Sequence, residues 1–148
     1  MFYGETTVAI DDKGRCAIPT AYRDSLSVLC RSQLVVTYSP YDNDCLWVLP
    51  RPEWERIRDE VVKLPSFEAA HRTMKRRLIG AASHLEMDGN GRIVLPHSAR
   101  QQVGLAKSGV LLGMGAYFEL WPEEAQRARM EMPIQGSEIT DAMRQLSF

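Results

Sequence analysis

A five-residue turn occurs twice in this chain, and the duplication constrains the fold more than any other feature. The copies are Asp11–Arg15 (DDKGR) and Asp88–Arg92 (DGNGR), both of the form Asp-x-x-Gly-Arg. They lie 77 residues apart, and a proline follows four residues after each arginine. Apolar positions around the turns repeat at the same offset. One supersecondary unit is therefore used twice.

Each turn is predicted to close a β-hairpin, because apolar residues alternate with other residues on both sides of it. Gly14 and Gly91 can adopt a positive φ without steric cost, and the carboxylates of Asp11 and Asp88 can accept hydrogen bonds from turn amides. These four residues are assigned the role of organising the turns. Each aspartate can also pair with the arginine four residues later.

Further strands and helices are predicted around the turns. Short helices are expected after the two prolines, at Ala21–Leu29, with Thr20 as its cap, and at His97–Val103. A second strand pair is expected in each copy, at Gln33–Tyr38 with Cys45–Leu49, and at Val110–Leu112 with Tyr117–Trp121.

Two helices are predicted between the copies. The first should lay an apolar face, formed by Trp54, Ile57 and Val61, on the core. The second is expected to end near Gly80 with a glycine cap, and to carry an apolar stripe of Phe67, Ala70, Met74 and Leu78. The sequence from Glu123 onward is also helix-like.

One copy of about 45 residues cannot bury enough apolar surface to offset its ordering entropy, so the two copies must share a core. The predicted fold class is α+β, mostly β: two interlocked repeats in one pseudo-twofold barrel with peripheral helices. The expected domain limits are residues 5–50 and 81–124 for the repeats, 51–80 for the linking helices and 125–148 for a C-terminal helical tail.

Composition narrows the function classes. The net charge of −1 gives no overall basic field, so any nucleic-acid binding must depend on a local patch. The three cysteines are widely spaced, and no apolar run has the length of a signal sequence or membrane span. We expect a cytoplasmic protein without a membrane partner.

No motif for catalysis, cofactor binding or a small-molecule substrate is present. The histidines are far apart, and there is no C-x-x-C, phosphate loop or nucleophile elbow. The second turn resembles the start of an EF-hand, but the twelfth position is His97 rather than a bidentate glutamate. We therefore expect no enzyme, cofactor or metal, and calcium sensing is the weakest alternative.

The chain resembles the bacterial MraZ family over nearly its whole length. The resemblance lies in Met1–Gly4, the first turn with Ile18-Pro19, Pro52–Glu55, Met87–Arg92 and Phe118–Trp121. It implies two fused swapped-hairpin domains of the SpoVT-AbrB type. It also implies a transcriptional regulator of the cell-division and cell-wall gene cluster that binds double-stranded DNA at promoter repeats, associates with the nucleoid and assembles into a ring-shaped homo-oligomer. The expected activity is repression, including that of its own promoter.

The candidate DNA-binding residues are Arg15, Lys13, Arg92 and Asn90. An arginine at a projecting turn can meet phosphate or the acceptor edge of guanine with two donors. The alternative is a structural ion pair with its own aspartate, and spacing alone leaves both interpretations open. Asn90 takes the place of Lys13, so the second turn is one charge poorer.

Two further segments leave alternatives open. The basic run Arg72–Arg77 is either a second DNA surface or a solvated helix face that pairs with acidic residues such as Asp59 or Glu60, or with a neighbouring subunit. The competing function class is a protein-interaction or assembly module without DNA, docking through Ile139, Met143 and Leu146 in the C-terminal segment.

Overall fold

The structure is a computed structural model that describes all 148 residues, Met1–Phe148. The first repeat contains β1 (Phe2–Ala9), β2 (Arg15–Ala17), α1 (Thr20–Cys30), β3 (Gln33–Tyr38), β4 (Leu46–Pro50) and α2 (Arg51–Val62). Between the repeats lie α3 (Ala69–Lys75) and a π-helical turn (Arg76–Gly80).

The second repeat contains β5 (Ser83–Glu86), β6 (Arg92–Val94), α4 (His97–Val103), β7 (Ser108–Gly115), β8 (Phe118–Trp121) and α5 (Glu123–Met130). The tail holds a 3₁₀ turn (Gly136–Glu138) and α6 (Asp141–Arg144). None of the helices is long and apolar enough to span a membrane.

The two repeats exchange strands. A six-stranded antiparallel sheet has the order β1-β7-β8-β4-β3-β5, and a two-stranded sheet pairs β2 with β6. Strand β1 of the first repeat thus pairs with β7 of the second, and β5 pairs with β3 of the first. The two predicted hairpins are therefore wrong, because the strands on either side of each turn pair with other strands; an isolated bridge between Ile10 and Cys16 joins the two sides of the first turn. The predicted fold class, α+β and mostly β with peripheral helices, is confirmed.

Strand register shows the internal twofold symmetry. In the β4–β8 pair Trp47 lies opposite Glu119, and each residue is three positions before the proline that follows its strand pair. In the β2–β6 pair Cys16 lies opposite Ile93, and each directly follows the arginine of its turn. A pseudo-twofold axis therefore passes through both strand pairs.

The main core contains the inward-facing residues of the sheet, of the β2–β6 pair, and of α1 and α4. Its fully buried members include Ile18, Leu26, Leu34, Leu46, Ile93, Leu95, Phe118 and Leu120. A smaller cluster of Val35, Leu49 and Trp54 lies under α2. Trp54 and Val61 of α2 are buried as predicted, because their spacing places them on one helix face.

The predicted glycine cap at Gly80 is wrong. Gly80 lies inside the π-helical turn, and the capping residue is Ala81 with φ −94°. The terminal carbonyl groups of this helix find side-chain donors instead: the Thr37 hydroxyl donates to Arg77 O at 2.6 Å, and Trp54 Nε1 donates to Leu78 O at 3.0 Å. A left-handed glycine is not needed where tertiary contacts satisfy these groups.

Two other local predictions are also wrong. Thr20 does not cap α1, because Pro19 occupies the N-cap position and no side-chain bond is made there. The predicted stripe of the second linking helix fails at its start, since α3 begins only at Ala69 and Phe67 is 80% exposed. Only Leu78, at the far end of the stripe, is buried.

Candidate nucleic-acid interface

The two arginines of the repeated motif lie on one face of the β2–β6 ribbon. Cys16 and Ile93 point into the core, so the alternation along each strand turns their neighbours outward. Arg15 lies opposite Val94, and Arg92 lies opposite Ala17. The arginines are therefore diagonal neighbours, about 8 Å apart between Cα atoms.

Both turns have the same hydrogen-bonded structure. The Asp11 carboxylate accepts from the backbone N–H groups of Lys13 at 3.0 Å and Arg15 at 2.9 Å. The Asp88 carboxylate accepts from those of Asn90 at 2.8 Å and Arg92 at 2.9 Å. These backbone donors stabilise the carboxylates in their ionised form.

The ionisation of both aspartates follows from this geometry. The pKa of Asp11 is lowered mainly by the hydrogen bond from the backbone N–H of Arg15, and the pKa of Asp88 mainly by the hydrogen bond from the backbone N–H of Arg92. Gly14 has φ +84° and Gly91 has φ +75°, the left-handed conformation that closes each turn. The side chains of Asp11 and Asp88 are thus charged and fixed at the base of the ribbon.

Each arginine pairs with its own aspartate through one nitrogen only. The Nε–Oδ2 distances are 2.5 Å for Arg15–Asp11 and 3.3 Å for Arg92–Asp88. The arginine side chains are 41% and 40% exposed, and their Nη1 and Nη2 atoms have no hydrogen-bond partner in the chain. The intramolecular pair and the outward donors therefore coexist: the aspartate orients the guanidinium and leaves its terminal nitrogens available.

The two turn tips differ in their charged side chains. Lys13 and Asn90 occupy corresponding positions, and both side chains are exposed. Lys13 makes no ion pair within the chain. The first turn therefore has one more positive side chain than the second, and also one more carboxylate, because Asp12 stands where the second turn has Gly89.

A further arginine, which the sequence interpretation left out of the site, covers the second turn. Arg23 of α1 donates from Nε to Ile18 O at 2.8 Å, and Ile18 N donates to Gly91 O at 2.8 Å. A Cβ atom at Gly91 would lie 2.1 Å from Arg23 Nε. The guanidinium of the first repeat thus packs directly on the turn of the second.

The equivalent contact covers the first turn. Arg100 of α4 donates from Nε to Leu95 O at 3.3 Å, and Leu95 N donates to Gly14 O at 2.8 Å. A Cβ atom at Gly14 would lie 2.9 Å from Arg100 Nε. The only sequence signal for this pair is that Arg23 and Arg100 repeat at the 77-residue offset of the motif.

The basic run Arg72–Arg77 does not form one charged face. Arg77 is half-buried and binds the loop after β3, donating to Ser39 O at 2.6 Å and to Asp42 O at 2.8 Å. Arg72 and Lys75 both donate to Ser66, at 2.9 and 2.7 Å. Several charges of the run therefore hold local loops.

The predicted pairing of this run with Asp59 or Glu60 is wrong. Asp59 pairs with Arg58 at 2.9 Å, and Glu60 pairs with Lys63 at 3.5 Å. Lys63 lies three residues from Glu60, a spacing that brings side chains together on a helix, and Arg58 is the chain neighbour of Asp59.

One cluster has metal-ligating residue types. The ligand atoms of Asp42, Cys45 and Glu119 lie within 4.8 Å of one another. Burial raises the pKa of the Cys45 thiol to about 12, and Arg129 pairs with Asp42 at 2.8 Å. Glu119 accepts a hydrogen bond from Trp121 Nε1 at 3.1 Å. Because both carboxylates already have protein partners, we assign no metal here.

Comparison with known proteins identifies the family. The family model described as "MraZ protein, putative antitoxin-like" matches residues 1–77 and 78–146. The chain belongs to the MraZ family. The resemblance inferred from the sequence is thereby confirmed, and the two matched segments correspond to the two strand-exchanging repeats. Their boundary lies within the stretch 51–80 assigned to the linking helices, whose finer limits remain a prediction.

Curated relatives of similar length carry the name "Transcriptional regulator MraZ". The protein from Stenotrophomonas maltophilia (strain R551-3) is 47% identical over 148 residues, which is 100% of both chains. That from Xylella fastidiosa (strain 9a5c) is 41% identical over 143 residues, 97% of each chain. The relative from Nitrosospira multiformis is 46% identical over 131 residues, 88% of each chain.

Proposed function

We propose that this protein is a transcriptional regulator that binds double-stranded DNA through the outward face of the β2–β6 ribbon. The observation that carries the proposal is the pair Arg15 and Arg92. Both lie on one exposed ribbon face, each is oriented by an ionised aspartate, and each keeps two terminal nitrogens without a partner in the chain. The names of the relatives support the regulatory role.

The dimensions of the ribbon suit the major groove of B-DNA, which is about 12 Å wide and admits a two-stranded β-ribbon. Two guanidinium groups about 8 Å apart at the Cα level reach adjacent base steps or the flanking phosphates. Between them Ala17 and the half-exposed Val94 leave room for base edges and offer methyl groups to thymine.

The turn tips extend the contact at both ends of the ribbon. Lys13 supplies a point charge for phosphate, whereas Asn90 supplies an amide that can bond the N6 and N7 edge of adenine. The ribbon is therefore asymmetric in chemistry although its backbone is nearly symmetric. A single subunit should prefer one orientation on its site.

Binding requires several subunits. One subunit has a net charge of −1 and presents few contacts, so tethered copies on spaced repeats must raise each other's effective concentration. The proposal therefore includes a ring-shaped homo-oligomer on promoter repeats. It includes repression of the cell-division and cell-wall cluster together with the protein's own promoter, as the family resemblance implies. The site of action is the nucleoid, in the cytoplasm.

The test is DNA binding by Arg15→Ala and Arg92→Ala, measured by fluorescence anisotropy on the DNA upstream of the protein's own gene. Each variant should lose most of the affinity and its preference over a scrambled duplex. The control is Arg58→Ala, which removes a half-buried arginine that also pairs with an aspartate, but on α2, where it lies over the Trp54 ring. Thermal stability and oligomer size should stay unchanged, because exposed ion pairs contribute little to stability. Wild-type affinity in Arg15→Ala would refute the proposed site.

One observation favours a second function, docking of another protein on the C-terminal segment. Ile139 and Leu146 are exposed, Met143 is half-buried, and α6 has only four residues, too few to be stable without packing. A salt titration separates the two functions. Phosphate contacts make affinity fall steeply with salt, whereas apolar docking does not.

A further inference from the structure

We propose that Arg23 and Arg100 form two composite phosphate-binding subsites, each made of the turn of one repeat and the helix arginine of the other. The proposal rests on the proposed DNA-binding function and names backbone contacts that the repeated motif does not include. The ligand is a phosphodiester group of the duplex beside the ribbon.

The position of each guanidinium supports this role. Arg23 lies against Gly91 and Arg100 lies against Gly14, so both stand beside the residue that precedes a motif arginine. Each uses Nε for a backbone carbonyl, and the terminal nitrogens of each have no hydrogen-bond partner in the chain. The half-buried side chains are held by that bond, so little conformational freedom is lost when phosphate binds.

Charge gives a second, independent reason. Arg15 and Arg92 are each paired with an aspartate, which offsets much of their charge near the ribbon. Arg23 and Arg100 make no ion pair; even Asp24, next to Arg23 in the sequence, is exposed and forms no ion pair. Arg23, Arg100 and Lys13 are therefore positive charges without an ion pair beside the turns; Lys107, whose carbonyl oxygen accepts from Ile10 N next to the first turn, is another. Phosphate contacts depend on such charge, whereas base contacts depend on oriented donors.

The exchange of strands determines which residues act together. Arg100 lies beside the turn of Arg15, and Arg23 lies beside the turn of Arg92. Within one repeat, Arg23 binds Ile18, which is three positions and about 10 Å along the chain from Arg15. Coupling should therefore cross between repeats, since groups separated by more than about 7–10 Å usually act additively.

The experiment combines Arg23→Gln and Arg100→Gln with a salt titration of binding to the upstream duplex and to a scrambled duplex. Glutamine removes the charge and keeps a donor for the carbonyl contact. Each change should weaken binding several-fold and to the same extent on both duplexes. Each should also reduce the slope of log K against log salt by about 0.9 for every subunit in contact with DNA. Arg58→Gln is the matched control and should leave the slope unchanged.

Double-mutant cycles then test the crossed arrangement. Arg15→Ala with Arg100→Gln, and Arg92→Ala with Arg23→Gln, should be non-additive, whereas Arg15→Ala with Arg23→Gln should be additive. Coupling within a repeat instead of across repeats would overturn the composite subsites.

Two further outcomes are decisive. If a glutamine variant unfolds, Arg23→Lys and Arg100→Lys replace it. The lysine variants keep the positive charge, so they should keep the wild-type slope of log K against log salt. A reduction of that slope by about 0.9 per bound subunit in a lysine variant would overturn the proposal. If the glutamine variants keep the wild-type slope while Arg15→Ala abolishes binding, the proposed function stands and the phosphate subsites are refuted. If the wild-type protein binds neither duplex, the proposed function itself fails.

Discussion

Replacing Gly91 with alanine should destabilise the fold strongly, whereas the same change at Gly89, two residues earlier in the same turn, should not. Gly91 has φ +75°, and its Cβ atom would lie 2.1 Å from Arg23 Nε and 2.4 Å from Arg23 Cζ. Gly89 has no positive φ, and no atom lies within 4 Å of its Cβ position. Comparing Gly91→Ala with Gly89→Ala separates the effect of the conformation and packing at Gly91 from the general effect of adding a methyl group to the turn.

The expected size follows from two terms. A left-handed conformation costs a non-glycine residue about 1–2 kcal/mol. Displacing the Arg23 guanidinium also breaks its bond to Ile18 O at 2.8 Å, and a hydrogen bond from a charged donor contributes about 1.5 kcal/mol. Gly91→Ala should therefore lower the free energy of unfolding by about 3 kcal/mol. Gly89→Ala should stay within about 0.5 kcal/mol of wild type.

Urea unfolding followed by tryptophan fluorescence measures both variants, at one protein concentration because assembly contributes to stability. In a chain of this size the Gly91→Ala loss corresponds to a fall in Tm of about 6–12 °C. The double variant Gly91→Ala/Arg23→Ala should be about as stable as Gly91→Ala alone, because the Arg23 hydrogen bond is already lost in that variant; the resulting coupling energy is about 1.5 kcal/mol. Equal midpoints for the two alanine variants would refute the packing of Arg23 on this turn.

Three other outcomes are expected. Arg77→Ala should lower the free energy of unfolding by about 2–3 kcal/mol, measured by calorimetry, because three loop oxygens lose a charged donor. The same change should leave the DNA affinity of the folded protein unchanged, as measured by fluorescence anisotropy. The pKa values of Asp11 and Asp88 are lowered from 3.8 in the fold, so their stabilisation is present above about pH 3.8 and is lost as pH falls below it. Urea midpoints between about pH 2 and 7 should show this decline in wild type and a shallower one in Asp11→Asn/Asp88→Asn. Burial raises the pKa of Cys16 to about 11 and of Cys45 to about 12, so neither is a reactive thiolate in the folded protein at about pH 8. Labelling of these two cysteines by a thiol reagent should therefore proceed at the rate of unfolding. Rapid labelling of either one in the native protein would contradict this expectation.

The sequence by itself determined the local features. Period-2 alternation beside an Asp-x-x-Gly-Arg turn predicts two short strands and the bend between them, because side-chain direction and turn chemistry depend on residues only a few positions apart. It did not predict the partners of these strands: in place of the expected hairpins, β1 pairs with β7 and β2 with β6. The same reasoning gave the left-handed glycines at Gly14 and Gly91 and the pairing of Arg15 with Asp11, all of which the structure contains. The repeat at offset 77 also predicted that two copies share one core, because neither is large enough alone.

Tertiary structure alone decided how the copies combine. Three features join residues that are far apart in the chain: the pairing of β1 with β7, the placement of both motif arginines on one ribbon face, and the packing of Arg23 on Gly91. The helix that was expected to end on a glycine ends at Ala81, because Thr37 and Trp54 supply donors from other elements. Such choices depend on which of several compatible partners meets a given surface. That selection is made by the packing of the whole core, which short-range pattern does not encode.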